Sequence, residues 1–436
     1  MLNPASSSNG PGNSSAAAPR TTPIEPARRH GARLPRLTLT RNLLRSIHSG
    51  HPWVYREALT APPGVPTGAV VDLVDKASRF VARGLYDAES PLALRVWTLD
   101  PEESVDGSLI QRRLAAALAA RRGALLGGFA QTNAFRLCNG EGDFLPGLTV
   151  DVYGHVAVVI CDGEAVQTLL PQVVSALLTV GEPLGITAIY ERHQRRQGGG
   201  GQLLHGSLQP ASGQPRGTHA GEVLIREHGM LFVVDIQNGQ KTGLFLDQRE
   251  NRRLIGRYAA GLSVWNGFAY TGGFSLAAAL GGATRVVTVD RAPVAIEAAR
   301  RNFALNGLDP QAHGFFADDV FTHLEAVRAQ GLTYDMVIVD PPSFAPTAKA
   351  LPAALAAYRD LHRLAMEVVA PGGLLVAASC SSHVPETAFL GTLVEAAAEL
   401  KRRCRVLEIQ SQPADHPHLP AFPEGRYLKC ILLRMD

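Results

Sequence analysis

An α/β fold is predicted: a doubly wound parallel sheet in the C-terminal half, preceded by a small β-rich domain and a small α/β domain. Three observations predict it. From Val223 onward, strand-like apolar runs alternate with helical stretches, which is the rhythm of strand–helix–strand units that close into a parallel sheet. Residues 35–105 carry short apolar runs broken by Pro62, Pro63, Gly64 and Pro66, with few helical patterns. Residues 106–200 combine helical and strand-like runs in a second small unit.

In chain order, residues 1–34 are rich in Ser, Asn, Gly, Ala and Pro and lack the apolar content to fold, so a disordered tail is expected. In the β-rich domain, Gly68–Val74 and Phe80–Tyr86 read as strands. The central domain opens with a helix over Leu109–Arg121. Strands near Phe135–Cys138, Leu148–Val152 and Val156–Cys161 follow, then a helix near Val166–Leu178. Residues 201–221 are expected to be a flexible linker. Four consecutive glycines lead into it, without the strand and helix that a phosphate-binding turn requires. In residues 222–436 the expected strands are Ser263–Trp265, Val286–Asp290, His313–Ala317, Met336–Asp340 and Leu374–Ser379. Helices are expected over Pro293–Leu305, where Ile296, Ala299 and Phe303 share a face, and over Ala353–Val369.

Composition narrows the function classes. Of the 436 residues, 46% are hydrophobic and 19% charged, which fits a folded chain rather than a disordered one. A formal charge of +3 permits a nucleic-acid partner only through local clustering of Arg and Lys. The five cysteines form no CxxC pair, which argues against a structural zinc site and a disulfide framework. His416 and His418 read as loop histidines, so no metal is expected. No apolar run reaches the length of a membrane span and the N-terminal residues do not resemble a secretory leader, so a cytoplasmic protein without a membrane partner is expected. The oligomeric state is not legible.

Val264–Phe274 places Gly267, Gly272 and Gly273 between a strand and a helix, and the next strand ends in Asp290, 18 residues after Gly272. An acidic residue at this position suits the hydroxyls of a ribose. A dinucleotide requires a tighter glycine turn for its pyrophosphate. With Phe268 and Tyr270 inside the turn, S-adenosylmethionine is the better match. In Ala317-Asp-Asp-Val320, an Asp can meet an adenine amino group, cap a helix, or do both. Asn238–Gly243 is not a P-loop, because Gln240 rather than Gly precedes Lys241.

Met336-Val-Ile-Val-Asp-Pro-Pro-Ser-Phe344 reads as a buried strand ending in Asp340, then a rigid turn. Such a loop suits gripping a nucleobase. The next strand ends near Cys380, followed by Ser381, Ser382 and His383. A free cysteine is most often a small core hydrophobe. The polar company at a strand end instead points to a nucleophile. A thiolate adding to carbon 6 of cytosine makes carbon 5 reactive towards a methyl donor, with Asp340 as the acidic partner.

These motifs resemble the bacterial large-subunit ribosomal RNA cytosine-5 methyltransferases that carry an N-terminal PUA domain. The resemblance runs from about Leu37 to the C-terminus. It includes His51-Pro-Trp-Val-Tyr55, Asn139–Gly154, Gly239–Arg252, the Asn266–Phe274 turn, Asp318–Phe321, Asp340–Phe344, Ser379-Cys380-Ser381, Asp415-His-Pro417 and Pro423–Lys429. It implies a PUA module that grips RNA, a central domain and a Rossmann-like catalytic domain using S-adenosylmethionine on large-subunit rRNA. Cys380 would be the nucleophile, with Gly267, Gly272, Asp290 and Asp319 around the cofactor. The cofactor expectation extends to Asn266, Tyr270, Thr271, Asp318 and Gln248. The substrate expectation covers Pro341, Pro342, Phe344, Lys241 and Arg249. Asp247 is expected to line the site without an assigned role. The tail, the insertion at Gln209–Gly217, and Trp265 and Gly267 depart from the family pattern. Two alternatives stay open: a methyltransferase acting on guanine or an exocyclic amine without a nucleophile, and a non-catalytic RNA-binding assembly factor.

Overall fold

The computed structural model describes residues 33–125, 127–193, 200–209 and 219–436. The expected tail lies almost entirely outside the described residues, as do residues 210–218 of the expected linker. Residues 35–436 form one unit.

The N-terminal six-stranded sheet uses Arg36–Leu39, Trp53–Tyr55, Leu59–Thr60, Val70–Val74, Phe80–Tyr86 and Leu92–Thr98. Its alternating residues Leu37, Leu39, Val71 and Leu73 are buried, so the period-2 pattern becomes a one-sided core. In the central domain, helix Gly107–Ala124 is capped by Asp106, whose carboxylate accepts from the backbone N–H of Ser108 and Leu109. It covers a five-stranded sheet. The second expected helix is two, Glu164–Gln167 and Leu170–Val180, because Pro171 starts a new helix rather than continuing one.

The linker reading needs correction. Gly201–His205 pairs antiparallel with Ala188–Arg192 and forms the edge of the central sheet. A Cβ on Gly201 would lie 2.1 Å from the Glu191 carbonyl oxygen, so the last glycine of the run permits this approach.

The catalytic-type sheet contains β1 (Ser263–Gly267), β2 (Arg285–Asp290), β3 (Gly314–Ala317), β4 (Tyr334–Val339), β5 (Val369–Ser379), β6 (Cys404–Gln410) and β7 (Lys429–Met435). The interleaved helices are α1 (Gly273–Leu280), α2 (Pro293–Leu305), α3 (Val320–Ala329), α4 (Leu351–Glu367) and α5 (Glu386–Glu399). Strand order is β3-β2-β1-β4-β5-β7-β6. β1 to β5 are parallel; β7 and β6 are antiparallel additions that the sequence reading did not anticipate. Met336, Val337, Ile338 and Val339 are all fully buried, as expected of a central strand covered on both faces. The order reverses between β1 and β4, and the crevice at their carboxyl ends is where open α/β sheets bind ligands.

A hairpin, Glu222–Glu227 and Met230–Asp235, joins the central and catalytic parts. Asn302 on α2 and Asn306, which caps its C-terminus, accept from the backbone N–H of Val233 and Leu231, at 3.0 and 2.9 Å, which satisfies the hairpin's open edge.

Asp415 ties the parts together. Arg249 grips it bidentately at 2.7 and 3.0 Å, the Arg136 N–H donates to it at 3.0 Å, and its own carbonyl accepts from Arg121 at 2.9 Å. Asn139 donates to the Pro417 carbonyl at 2.8 Å, and a Cβ on Gly142 would lie 1.9 Å from that same oxygen. Trp53 of the N-terminal domain donates to Glu141 at 2.8 Å and packs on Phe422. The Asn139–Gly154 and Asp415–Pro417 motifs therefore build a joint. Asp415→Ala would strip the buried Arg249 guanidinium of its bidentate partner and leave it only Glu250 at Nε, 3.0 Å away. Urea denaturation should show a loss of about 3–5 kcal/mol; a change within experimental error would remove the joint's energetic role.

Candidate active site

The glycine turn is bent by residues in the left-handed region: Phe268 at φ 56°, Tyr270 at 49° and Gly272 at 77°. Side chains hold it there. Asp290 at the end of β2 accepts from the Tyr270 N–H at 2.7 Å and from the Ala292 N–H at 2.9 Å. Tyr270 donates to the Gly243 carbonyl at 3.0 Å, and Asn302 donates to the Thr271 carbonyl at 3.1 Å.

Trp265 and Gly267 are one device. The buried indole lies against Gly267, where a Cβ would meet the ring at 2.6 Å. A bulky residue under the turn requires a glycine above it.

A cavity of about 320 Å³ opens at the carboxyl ends of β1, β2, β4 and β5. At one end its wall carries Tyr270, Thr271, Asp290 and Asp319; at the other, Gln248, Asp340, Pro341, Pro342 and Cys380 with Lys241 and Asp247. These expected residues are brought together. Asp319 also caps α3, accepting from the Phe321 and Thr322 N–H groups at 3.1 Å.

Six expected residues are not on this wall. Asn266 is fully buried and donates to Ser275 at 2.9 Å. Gly267 lies against Trp265, and Gly272 packs on Ala299, where a Cβ would approach to 2.7 Å. These three shape the turn from behind. Asp318 is exposed and accepts from the Asp319 N–H at 2.8 Å. Arg249 is held by Asp415, and Phe344 packs on Tyr358 with the rings tilted and their centroids 4.8 Å apart. Packing or ion-pair partners elsewhere in the chain claim Arg249 and Phe344, whereas Asp318 faces solvent.

Arg252 is a wall residue that the sequence reading did not single out. Glu227, fully buried, takes two of its nitrogens at 2.6 and 2.5 Å. Its Nη1 makes no hydrogen bond among the described residues.

The Asp340 carboxyl sits at the end of β4 and accepts from Gln248 Nε2 at 2.7 Å. Burial, and then the charge of Asp247, push its pKa up to about 7. Asp247 is ionised: burial opposes this, but Lys241 at 2.7 Å and other positive neighbours hold its carboxyl well below the usual range. Tyr427 donates to the same oxygen of Asp247 at 2.8 Å.

Cys380 follows β5 directly; the register Val339↔Ala377 brings the ends of β4 and β5 together, and Asp340 and Cys380 both line the cavity there. Burial and then the Asp340 charge push its thiol up, while Lys241 works against them. Its loop is pinned on three sides. Tyr358 and Ser379 share a hydrogen bond of 2.9 Å, Ser381 donates to the Ala345 carbonyl at 3.0 Å, and the buried Lys429 ammonium donates to the Ser381 and Val384 carbonyls. The polar neighbours of Cys380 thus mainly hold the loop, and Ser382 and His383 are exposed. Cys138, Cys161 and Cys430 are buried in the core, and Cys404 begins the edge strand β6.

Comparison with known proteins agrees with this geometry. A family model for S-adenosylmethionine-dependent methyltransferases matches residues 205–434, and one for PUA-like domains matches residues 37–99. The chain is 36% identical over 406 residues to a Klebsiella pneumoniae protein named ribosomal RNA large subunit methyltransferase I, covering 92% of this chain and 98% of that one. A protein of the same name from Aeromonas salmonicida is 37% identical over 402 residues, covering 89% and 96%. A solved chain described as a methyltransferase, in complex with SAH, superposes with a TM-score of 0.78 at 25% identity, covering 92% of this chain and 100% of that one. A cavity at the switch point of the sheet, a PUA-like domain before it and this similarity along nearly the whole chain lead to one assignment: the chain belongs to the S-adenosylmethionine-dependent methyltransferase family, in the group named ribosomal RNA large subunit methyltransferase I.

Proposed function

We propose that the protein methylates carbon 5 of a cytosine in large-subunit rRNA through a covalent adduct of Cys380 at carbon 6. The observation that carries this reading is the shared cavity. Cys380 and Asp340 close neighbouring parallel strands on the same wall as Asp290 and Asp319.

S-adenosylmethionine, when bound, supplies the electrophilic methyl group. The residues present suit it. Asp290 retains acceptor capacity for ribose hydroxyls, Asp319 for the adenine amino group, and Arg252 offers Nη1 to a carboxylate. At the other end, Pro341 and Pro342 stiffen the loop under the base. The Cys380 thiolate adds to carbon 6 while protonated Asp340 donates its proton to ring nitrogen 3, leaving carbon 5 enamine-like. After methylation, loss of the carbon-5 proton expels Cys380, and return of the nitrogen-3 proton to Asp340 restores the neutral ring.

Unmodified large-subunit rRNA incubated with the protein and labelled S-adenosylmethionine should yield labelled 5-methylcytidine on nucleoside digestion. RNA carrying 5-fluorocytosine at the target should form an isolable adduct with the protein. Labelled methylguanosine, or transfer without an adduct, would overturn the cysteine route. No S-adenosylmethionine binding by calorimetry would leave only an RNA-binding role.

A further inference from the structure

Asp247 is an ionised group of the cavity wall with no part in the methyl-transfer steps. It is 3% exposed. One carboxylate oxygen, Oδ2, receives both Lys241 and Tyr427, at 2.7 and 2.8 Å. The other, Oδ1, is buried and has no hydrogen-bond partner among the described residues. A buried carboxylate oxygen is rarely left bare, and the bare oxygen belongs to a residue of the cavity wall. What is missing is a hydrogen-bond donor supplied by a ligand.

The position of Asp247 selects the donor. Gln248, its neighbour in the chain, is bonded to Asp340. Asp247 is also among the charges felt by both Asp340 and Cys380. It therefore sits with Asp340 and Cys380, the pair that acts on the base. The Watson–Crick edge of cytosine offers an acceptor, ring nitrogen 3, beside a donor, the exocyclic amine. Uracil offers the reverse, a donor at nitrogen 3 and a carbonyl oxygen. Protonated Asp340 meets the acceptor, which leaves the amine for a second, unprotonated carboxylate.

Resting on the cytosine-5 reading, we propose that Asp247 recognises the exocyclic amine of the target cytosine, accepting a hydrogen bond from it at Oδ1. Lys241 and Tyr427 keep the carboxylate ionised and turned so that Oδ1 stays free. A uracil at the same place would set its carbonyl oxygen against that carboxylate, so the pair Asp340–Asp247 selects cytosine by attraction and repulsion together.

The test compares two rRNA fragments, one with cytosine at the methylated position and one with 2-pyrimidinone, which lacks only the amine. Single-turnover methyl transfer and S-adenosylmethionine affinity are measured for the full chain and for Asp247→Ala and Asp247→Asn. Asp247→Ala should lose about 10- to 100-fold more on the cytosine RNA than on the 2-pyrimidinone RNA, because loss of its charge beside Asp340 acts on both substrates alike. Asp247→Asn, which keeps an acceptor oxygen, should recover part of the loss on cytosine alone. An equal loss on both RNAs would overturn the proposal in favour of a purely architectural role. A loss that tracks weakened S-adenosylmethionine binding would make Asp247 a cofactor ligand instead. If the parent chain transfers no methyl to the cytosine RNA, the cytosine-5 reading fails first, and the role of Asp247 falls with it.

Discussion

Replacing Cys380 with alanine is expected to lower single-turnover methyl transfer by about 10⁴-fold or more while leaving S-adenosylmethionine affinity unchanged. The size follows from the absence of a substitute among its neighbours. The Ser379 hydroxyl is engaged with Tyr358 and the Ser381 hydroxyl with the Ala345 carbonyl, so neither is free to attack. Without a thiolate at carbon 6, carbon 5 of cytosine is too weak a nucleophile for the methyl group. The side chain contributes little to the fold, since the loop is pinned by Tyr358, Ala345 and Lys429 rather than by the thiol. Calorimetric titration of the variant separates the two effects. Retained turnover with intact binding would mean direct attack by the substrate, as on guanine or an exocyclic amine.

The catalytic sheet was legible in the sequence where local pattern and tertiary environment agree. Helix α2 spans Pro293–Leu305 as expected: proline suits its first turn, and Ile296, Ala299 and Phe303 all turn inward. β5 starts five residues earlier than expected, at Val369 rather than Leu374. The Pro371-Gly372-Gly373 run reads as a breaker, yet the pairing with β4 resumes across a register shift. β6 and β7 were missed because they break the strand–helix rhythm.

The site shows the same division. Asp340 and Cys380 were legible because a strand end in a parallel sheet has a known edge. Arg249 and Arg252 were not distinguishable, being three residues apart on one helix. Which of them faces the cavity is decided by Asp415, 166 residues from Arg249, and by Glu227, 25 residues from Arg252. Periodicity carries no information about such distant partners. The free oxygen of Asp247 is likewise a property of three side chains meeting, Lys241, Asp247 and Tyr427, and no spacing encodes it.

Asp340 should reveal itself in the pH dependence of kcat/KM. The reactive form carries a proton on Asp340 and none on Cys380. Asp340 titrates at about 7, and the thiol above its ordinary value of 9.0. Between these limits the dominant form, carboxylate with thiol, has the same proton count as the reactive form, so the reactive fraction is constant there. Below about pH 7 one proton too many is bound, and the fraction falls tenfold per unit. The parent protein should therefore gain activity with rising pH up to about 7 and then level off. Asp340→Asn can donate a hydrogen bond to nitrogen 3 but cannot transfer a proton, and a loss of about 10²- to 10⁴-fold is expected at neutral pH. Only the thiol then titrates, so the variant's rate should keep climbing past pH 7. Its deficit relative to the parent should shrink tenfold per unit until the thiol itself ionises. A variant that still levels off near pH 7 would assign that titration to another group and remove Asp340 from the role of acid. A constant deficit across the range would leave Asp340 as a binding contact only.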